Sequence, residues 1–212
     1  MIKAYSKYLN YTLYPVLIVF IVFAAIYGYM SYENKKAEKE YNSALKMLFE
    51  NLEKGADNES VNKALYTFEH IIKKYPLSRF SKLSMGFAGY IYFIKGDYKN
   101  ALIFYKKFKD KASKSIAEYK YLSELAISSC YEAKKDFKPA IRILRKFVKE
   151  HPESPFREFA LLSLARLYRM NHNIKLAKET IKQFIKEYPQ SPFFYMAKAQ
   201  LLSYNNQSNL RE

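Results

Sequence analysis

The sequence is poor in residues that build anything other than helix. Glycine occurs 5 times and proline 7 times in 212 residues, which excludes collagen-like and Gly-rich linker architectures and argues against a turn-rich all-β fold. There is one cysteine, Cys130. It leaves no intramolecular disulfide and no cysteine-rich zinc centre. The three histidines, His70, His151 and His172, lie far apart and form neither HxxH nor HExxH. No Gly-rich phosphate loop, G-x-S-x-G elbow or Cys–His arrangement is visible. Gly86 and Gly89 sit inside an aromatic stretch, where close packing explains them better. No catalytic residue, metal or cofactor is therefore expected, and the chain reads as non-enzymatic.

Acidic residues are also scarce. Asp and Glu number 20 against 36 Lys and Arg, for a net charge of +16. Tryptophan is absent, while tyrosine (21) and phenylalanine (16) are abundant. Half of the residues are hydrophobic, enough to bury a core. The length gives room for one ordinary domain plus a short extra element.

No charge occurs between Lys7 and Glu33, and the centre of this run reads Pro15-Val-Leu-Ile-Val-Phe-Ile-Val-Phe-Ala-Ala-Ile-Tyr-Gly-Tyr29. About 20 residues at ~1.5 Å each span roughly 30 Å, the thickness of a bilayer core. Tyr8, Tyr11 and Tyr14 mark one end and Tyr27, Tyr29 and Tyr32 the other, as at two water–lipid interfaces. Pro15 is expected near the helix start, where its missing N–H costs least. A cleaved signal peptide is the alternative, but no small-x-small site precedes Glu33 and there is no lipobox cysteine. A buried soluble helix rarely lacks charge over so long a stretch. The run reads as one uncleaved transmembrane helix. Lys3 and Lys7 on one side nearly balance Lys35, Lys36 and Lys39 on the other, so charge does not set its orientation.

The remainder is periodic. Pro76, Pro152 and Pro189 follow Lys74-Tyr75, Glu150-His151 and Glu187-Tyr188, with gaps of 76 and 37 residues. The first gap is two periods, which places a proline-free boundary near Ser113. A second marker agrees: Ala64, Ala101, Ala140 and Ala177 are spaced by 37, 39 and 37. Asp97, Asp136 and Asn173 stand before the last three as candidate N-caps. Twelve residues before those alanines are the small residues Gly89, Ser128 and Ala165, each followed three residues later by Tyr92, Tyr131 or Tyr168. Seven residues after the alanines come Phe108, Phe147 and Phe184. Small residues let two helices cross closely, aromatics fill the space where they diverge, and proline stops the second helix.

This pattern resembles the tetratricopeptide repeat (TPR), a helix–turn–helix unit of about 34 residues. The Tyr-Pro-x-Ser-Pro-Phe boundary is similar to the variety found in bacterial envelope proteins. The expected fold is all-α: a single N-terminal transmembrane helix followed by a TPR-like α-solenoid. We read 1–12 as a short tail, 13–32 as the membrane helix, 33–76 as a first, extended unit, 77–190 as three repeats, and 191–212 as a capping helix and tail. Leu202 stands at the small position of that last helix. His151 stands where Tyr75 and Tyr188 stand elsewhere and reads as a packing or capping residue, and Cys130 as a small interior hydrophobe.

First helices line the concave surface of such an array. Counting from the small positions, Tyr90 and Phe93, Ser129 and Glu132, and Arg166 and Arg169 should face the groove. That groove would take an extended segment with apolar and acidic residues. Basic residues gather at Lys106 to Lys111, Arg142 to Lys149 and Lys182 to Lys186, mostly on second helices. They read as a solvated face, with attraction to anionic lipid or acidic partners as the functional alternative. Nucleic acid is not expected, because no recognition motif accompanies the charge.

An anchor leading straight into a few TPR-like units resembles the ancillary Sec-translocon subunits of bacterial inner membranes. The resemblance implies a single-pass inner-membrane protein with extracytoplasmic repeats. Its partners would be translocon subunits, exported clients or envelope chaperones. Its task would be translocon-associated chaperoning, with a structural scaffold of an outer-membrane assembly or cell-division complex as the alternative. No catalytic residues come with it, and the oligomeric state is left open.

Overall fold

The computed structural model describes residues 2–56, 58–112 and 117–209, and among them every regular element is helical. The helices are α1 (Ile2–Asn51), α2 (Glu59–Lys74), α3 (Arg79–Ile94), α4 (Tyr98–Ala112), α5 (Ala117–Ala133), α6 (Phe137–Glu150), α7 (Arg157–Met170), α8 (Ile174–Glu187) and α9 (Phe194–Asn209). A short 3-10 turn, Leu52–Lys54, follows α1. The chain forms two compact units, Met1–Phe87 and Ala88–Glu212, whose boundary falls inside α3.

In the first unit, the apolar run and the first repeat helix are one uninterrupted helix. Two expectations change. Residues 2–12 are helical rather than an irregular tail, and Pro15 lies inside the helix rather than at its start. An interior proline removes the N–H that would bond to the carbonyl four residues earlier, a defect that membrane helices accommodate. From Leu13 to Tyr32 every side chain is exposed, including Phe20 and Phe23 at 71% and 73%. From Glu33 onward the same helix acquires a buried stripe, Ala37, Tyr41, Ala44 and Leu48, at spacings of 4, 3 and 4. It meets the stripe Val61, Ala64, Phe68 and Ile71 of α2. The rings of Tyr41 and Phe68 lie 5.8 Å apart, and Phe87 stacks on Phe68 at 5.4 Å.

Polar groups on α1 hold the next boundary. Glu33 accepts from the Leu77 N–H (3.0 Å), and Asn34 accepts from both the Ser78 hydroxyl (2.9 Å) and the Arg79 N–H (2.8 Å). Glu40 accepts from the Tyr75 hydroxyl (2.8 Å) and lies 3.0 Å from His70 Nδ1 and 3.7 Å from Lys74 Nζ. Burial opposes ionisation of Glu40, but Tyr75, His70 and Lys74 outweigh it and hold the carboxyl below the ordinary carboxylate range.

In the second unit the repeat is visible in the turns. Gly96, Lys135 and His172 each adopt a left-handed φ, of 78°, 60° and 59°. At each, two hydrogen bonds close a Schellman motif: Gly96 N–H to Phe93 and Asp97 N–H to Tyr92, then Lys135 to Glu132 and Asp136 to Tyr131, then His172 to Arg169 and Asn173 to Tyr168. Asp97 and Asn173 then cap the following helix, accepting from Asn100 N–H and Leu176 N–H at 3.0 Å each. Asp136 does not cap. The residue three positions on is Pro139, which has no N–H to donate. At the other boundaries the Ser78, Ser154 and Ser191 hydroxyls accept from the N–H two residues later, at 3.1, 3.2 and 3.0 Å. The boundary expected near Ser113 lies outside the described residues.

The core follows the same period. Ala101, Ala140 and Ala177 are wholly buried, as are Phe147 and Phe184, and Phe108 is 7% exposed. The small positions Gly89, Ser128 and Ala165 are buried as well. A Cβ on Gly89 would stand 2.9 Å from the Tyr105 ring, and the Ser128 hydroxyl donates to the Ala140 carbonyl at 3.3 Å. At the matching position of α9, Leu202 is 65% exposed.

Candidate functional site

The first helices α7 and α9 flank a hollow of about 490 Å³ in the second unit. Five residues of α7 line it, and four of them, Phe159, Leu162, Arg166 and Arg169, are spaced by 3, 4 and 3, which is one face of a helix. Phe193 and Met196 approach from the other wall. Phe159, Phe193 and Met196 are 54%, 48% and 44% exposed. Large apolar side chains left in contact with water beside a concavity are the ordinary signature of a binding surface.

The charge of the hollow comes from its two arginines. Arg166 Nη2 donates to Glu132 Oε2 at 2.8 Å, a bridge from α7 back to the end of α5. Arg169 is exposed in the hollow and has no acidic partner among the described residues.

The structure thus brings Arg166 and Arg169 together, with Glu132 alongside, but not the other three residues expected in the groove. Tyr90 and Phe93 are half-buried and pack against the α4–α5 core of Ala101, Leu102, Tyr105, Ile127 and Cys130. Phe93 also leans on Tyr98, ring to ring at 5.5 Å. Ser129 is half-buried and donates to the Leu125 carbonyl at 3.1 Å. Sequence reasoning missed Phe159, Leu162, Phe193 and Met196. The signal was present: extending the stripe of Arg166 and Arg169 backwards along one helix face reaches Leu162 and Phe159.

Several polar groups away from the hollow hold the repeats together. Arg157 at the start of α7 pairs with Glu187, donates to the Tyr188 hydroxyl at 3.3 Å and reaches the Val148 carbonyl at 3.1 Å. Arg157 holds the Glu187 carboxyl below its ordinary range, against the effect of burial. His151 ends α6, with its ring 4.5 Å from Tyr121 and 5.1 Å from Phe147. Cys130 is fully covered, and burial pushes its thiol up to about 12, so it is protonated and inert at neutral pH. No cluster of metal-ligating side chains exists among the described residues.

These features define a class: an array of helix pairs, repeated at about 37 residues, with an apolar-and-basic hollow on its first helices. Residues 123–154 and 159–191, which are α5–α6 and α7–α8 with their turns, match the tetratricopeptide repeat family. Among solved structures, the chain is similar to a Podosopora anserina protein assigned as a kinesin light chain, built of nearly identical TPR-like repeats. The identity is 16%, the match covers 83% of this chain and 88% of that one, and the TM-score is 0.63. A single-substitution form of the same protein matches equally, at 16% identity and a TM-score of 0.63. At this identity the likeness shows the fold. No curated protein matches the chain. The fold is a TPR-like helical solenoid, a type that typically serves as a non-catalytic scaffold for protein interaction. Among the described residues, one helix, at the N-terminal end, is long and apolar enough to cross a membrane.

Proposed function

We propose that this protein is a membrane-anchored TPR adaptor of the bacterial inner membrane that holds protein partners in the α7–α9 hollow, in support of protein export at the translocon. The observation that carries the reading is the pairing, in one chain, of a fully exposed apolar stretch of α1, residues 13–32, with a hollow whose walls expose Phe159, Phe193 and Met196 beside Arg169. Tethering raises the effective concentration of a weak-binding surface near clients emerging at the membrane. The hollow suits a segment with apolar side chains and a carboxylate.

Two experiments test it. The first labels Gln190→Cys, in the exposed turn after α8, in a Cys130→Ser background with a membrane-impermeant thiol reagent. Labelling with the inner membrane sealed is expected. Labelling only after that membrane is opened would remove the export reading. The second places a photocrosslinker at Met196 in the full chain in native membranes. Adducts with translocon subunits or exported proteins are expected, and Arg169→Glu should diminish them. Adducts unaffected by Arg169→Glu, or none, would sink the assignment of the hollow.

A further inference from the structure

The second helices α6 and α8 enclose a larger groove, of about 940 Å³, on a surface that the α7–α9 hollow does not use. Its α6 wall carries Lys138, Arg142, Arg145 and Lys149, all exposed. Their spacings of 4, 3 and 4 put them in one row along the helix. None has an acidic partner among the described residues. Lys146 and Arg157 also line the groove but are paired, with Glu150 and Glu187. The α8 wall is polar, with Asn173, Thr180, Gln183 and one carboxylate, Glu179, and Ile141, Leu164 and Leu176 contribute apolar surface.

The row is not a requirement of the repeat. Counted from Ala140, it occupies positions −2, +2, +5 and +9. Counted from Ala101, the same positions hold Lys99, Ile103, Lys106 and Asp110; from Ala177 they hold Lys175, Glu179, Lys182 and Lys186. Only α6 is basic at all four. In the adjoining groove, lined by α4, α5 and α6, Lys109 is neutralised by Glu124 at 2.9 Å and Asp110 stands beside it. Neighbouring cations three and four apart on a helix repel one another, so the α6 row stands uncompensated until an anion enters.

We propose that the α6–α8 groove binds an extended acidic segment of a partner protein. Along α6 the four cations are separated by about 6, 4.5 and 6 Å. Alternate side chains of an extended chain repeat every ~6.6 Å on one side, so carboxylates at every second residue would meet the row in turn. The intervening residues would face the Gln183 and Thr180 wall and the apolar surface. A bilayer surface is flat and would meet a concavity poorly. Single-stranded nucleic acid wants exposed aromatic platforms, and the groove's one aromatic side chain, Tyr168, is buried.

The test uses the full chain in phosphatidylcholine nanodiscs and a fluorescein-labelled peptide of about ten residues in which Glu alternates with Ser and Leu. Fluorescence anisotropy is expected to show binding that the Gln-for-Glu peptide lacks. Arg142→Glu with Arg145→Glu should weaken it about tenfold or more. Lys175→Glu with Lys182→Glu makes the same charge change outside the groove and should weaken it less than about threefold. Circular dichroism checks the fold, and Arg142→Gln with Arg145→Gln replaces the first variant if that one unfolds. Equal weakening by both double variants, or no binding of the Glu peptide, overturns the proposal. So does equally tight, Arg142- and Arg145-dependent binding of oligothymidylate, or of vesicles about one third phosphatidylglycerol.

Discussion

Within the unit from Ala88 onward, the two sets of helices differ sharply in charge. The second helices α4, α6 and α8 carry fourteen Lys and Arg against four Asp and Glu; the first helices α5, α7 and α9 carry five against four. Ten of the chain's sixteen net positive charges therefore sit on three helices. Yet those helices share a buried stripe of alanine, a large side chain four residues on and phenylalanine seven on: Ala101, Tyr105 and Phe108; Ala140, Leu144 and Phe147; Ala177, Ile181 and Phe184. A repeat therefore constrains one face of a helix and leaves the other free. Packing dictates the alanine and phenylalanine positions, while the outward positions vary from one repeat to the next and are where function can be written.

The largest losses are expected on the inner face. Phe147→Ala should cost about 3–5 kcal/mol, because a wholly buried ring is replaced by a cavity. Arg145→Ala, two residues away on the outer face, should stay within ~0.5 kcal/mol. Urea titration of the detergent-solubilised chain, followed by helical circular dichroism, measures both. Similar losses would mean that α6 has no privileged face. Next in size is Ala165→Leu at the α7 crossing, which should cost about 1–3 kcal/mol by overpacking. Leu202→Ala at the equivalent, exposed position of α9 should be close to neutral, and a large loss there would show that α9 has a covering partner in solution.

Much of this architecture was legible in the sequence because repetition multiplies weak signals. One alanine means little; Ala101, Ala140 and Ala177, each followed by phenylalanine seven residues on, mark a helix face. The unbroken helix from the apolar run into the first repeat was less legible, because Pro15 argues locally for a helix start and nothing in its neighbours reveals the turns before it. The cap at Asp136 was misread for a similar reason: the residue type is right, but Pro139 withholds the donor. The hollow was read in half. Arg166 and Arg169 follow from the register, whereas Tyr90 and Phe93 share that register but are drawn against the α4–α5 core. Register says which way a side chain leaves its helix, not whether a neighbour covers it. Phe193 was beyond reach, since it precedes α9 and its position depends on the turn closed by Ser191.

Smaller effects probe the turns. Lys135 and His172 hold the left-handed conformation that Gly96 holds without a side chain. Lys135→Gly should therefore stabilise the chain by up to about 1 kcal/mol, and Gly96→Ala should destabilise it by a similar amount. The same urea titration reads both. Destabilisation by Lys135→Gly would mean that the lysine side chain contributes more than its backbone strain costs.

The smallest effect concerns pH and contrasts the two units. Glu187 is held below its ordinary range by Arg157, and Glu40 is held below it by Tyr75, His70 and Lys74 against an opposing burial cost. For a carboxyl whose folded pKa is depressed, the unfolded chain binds more protons across the interval between the two values. Stability from each pair is thus complete above the unfolded pKa and declines as pH falls through that interval towards the folded value. Both carboxyls are partly exposed, so solvent screening keeps each contribution below about 1 kcal/mol. Glu187→Gln should flatten the acid limb of the unfolding free energy in the repeat-bearing second unit, and Glu40→Gln in the first. Hydrogen exchange read separately on α2 and α8 distinguishes them: each variant should reduce the acid-dependent loss of protection in its own helix. If Glu187→Gln left the acid loss in α8 unchanged, the Arg157 pair would be a surface contact without energetic weight. If it altered α2 as strongly as α8, the two units would unfold as one.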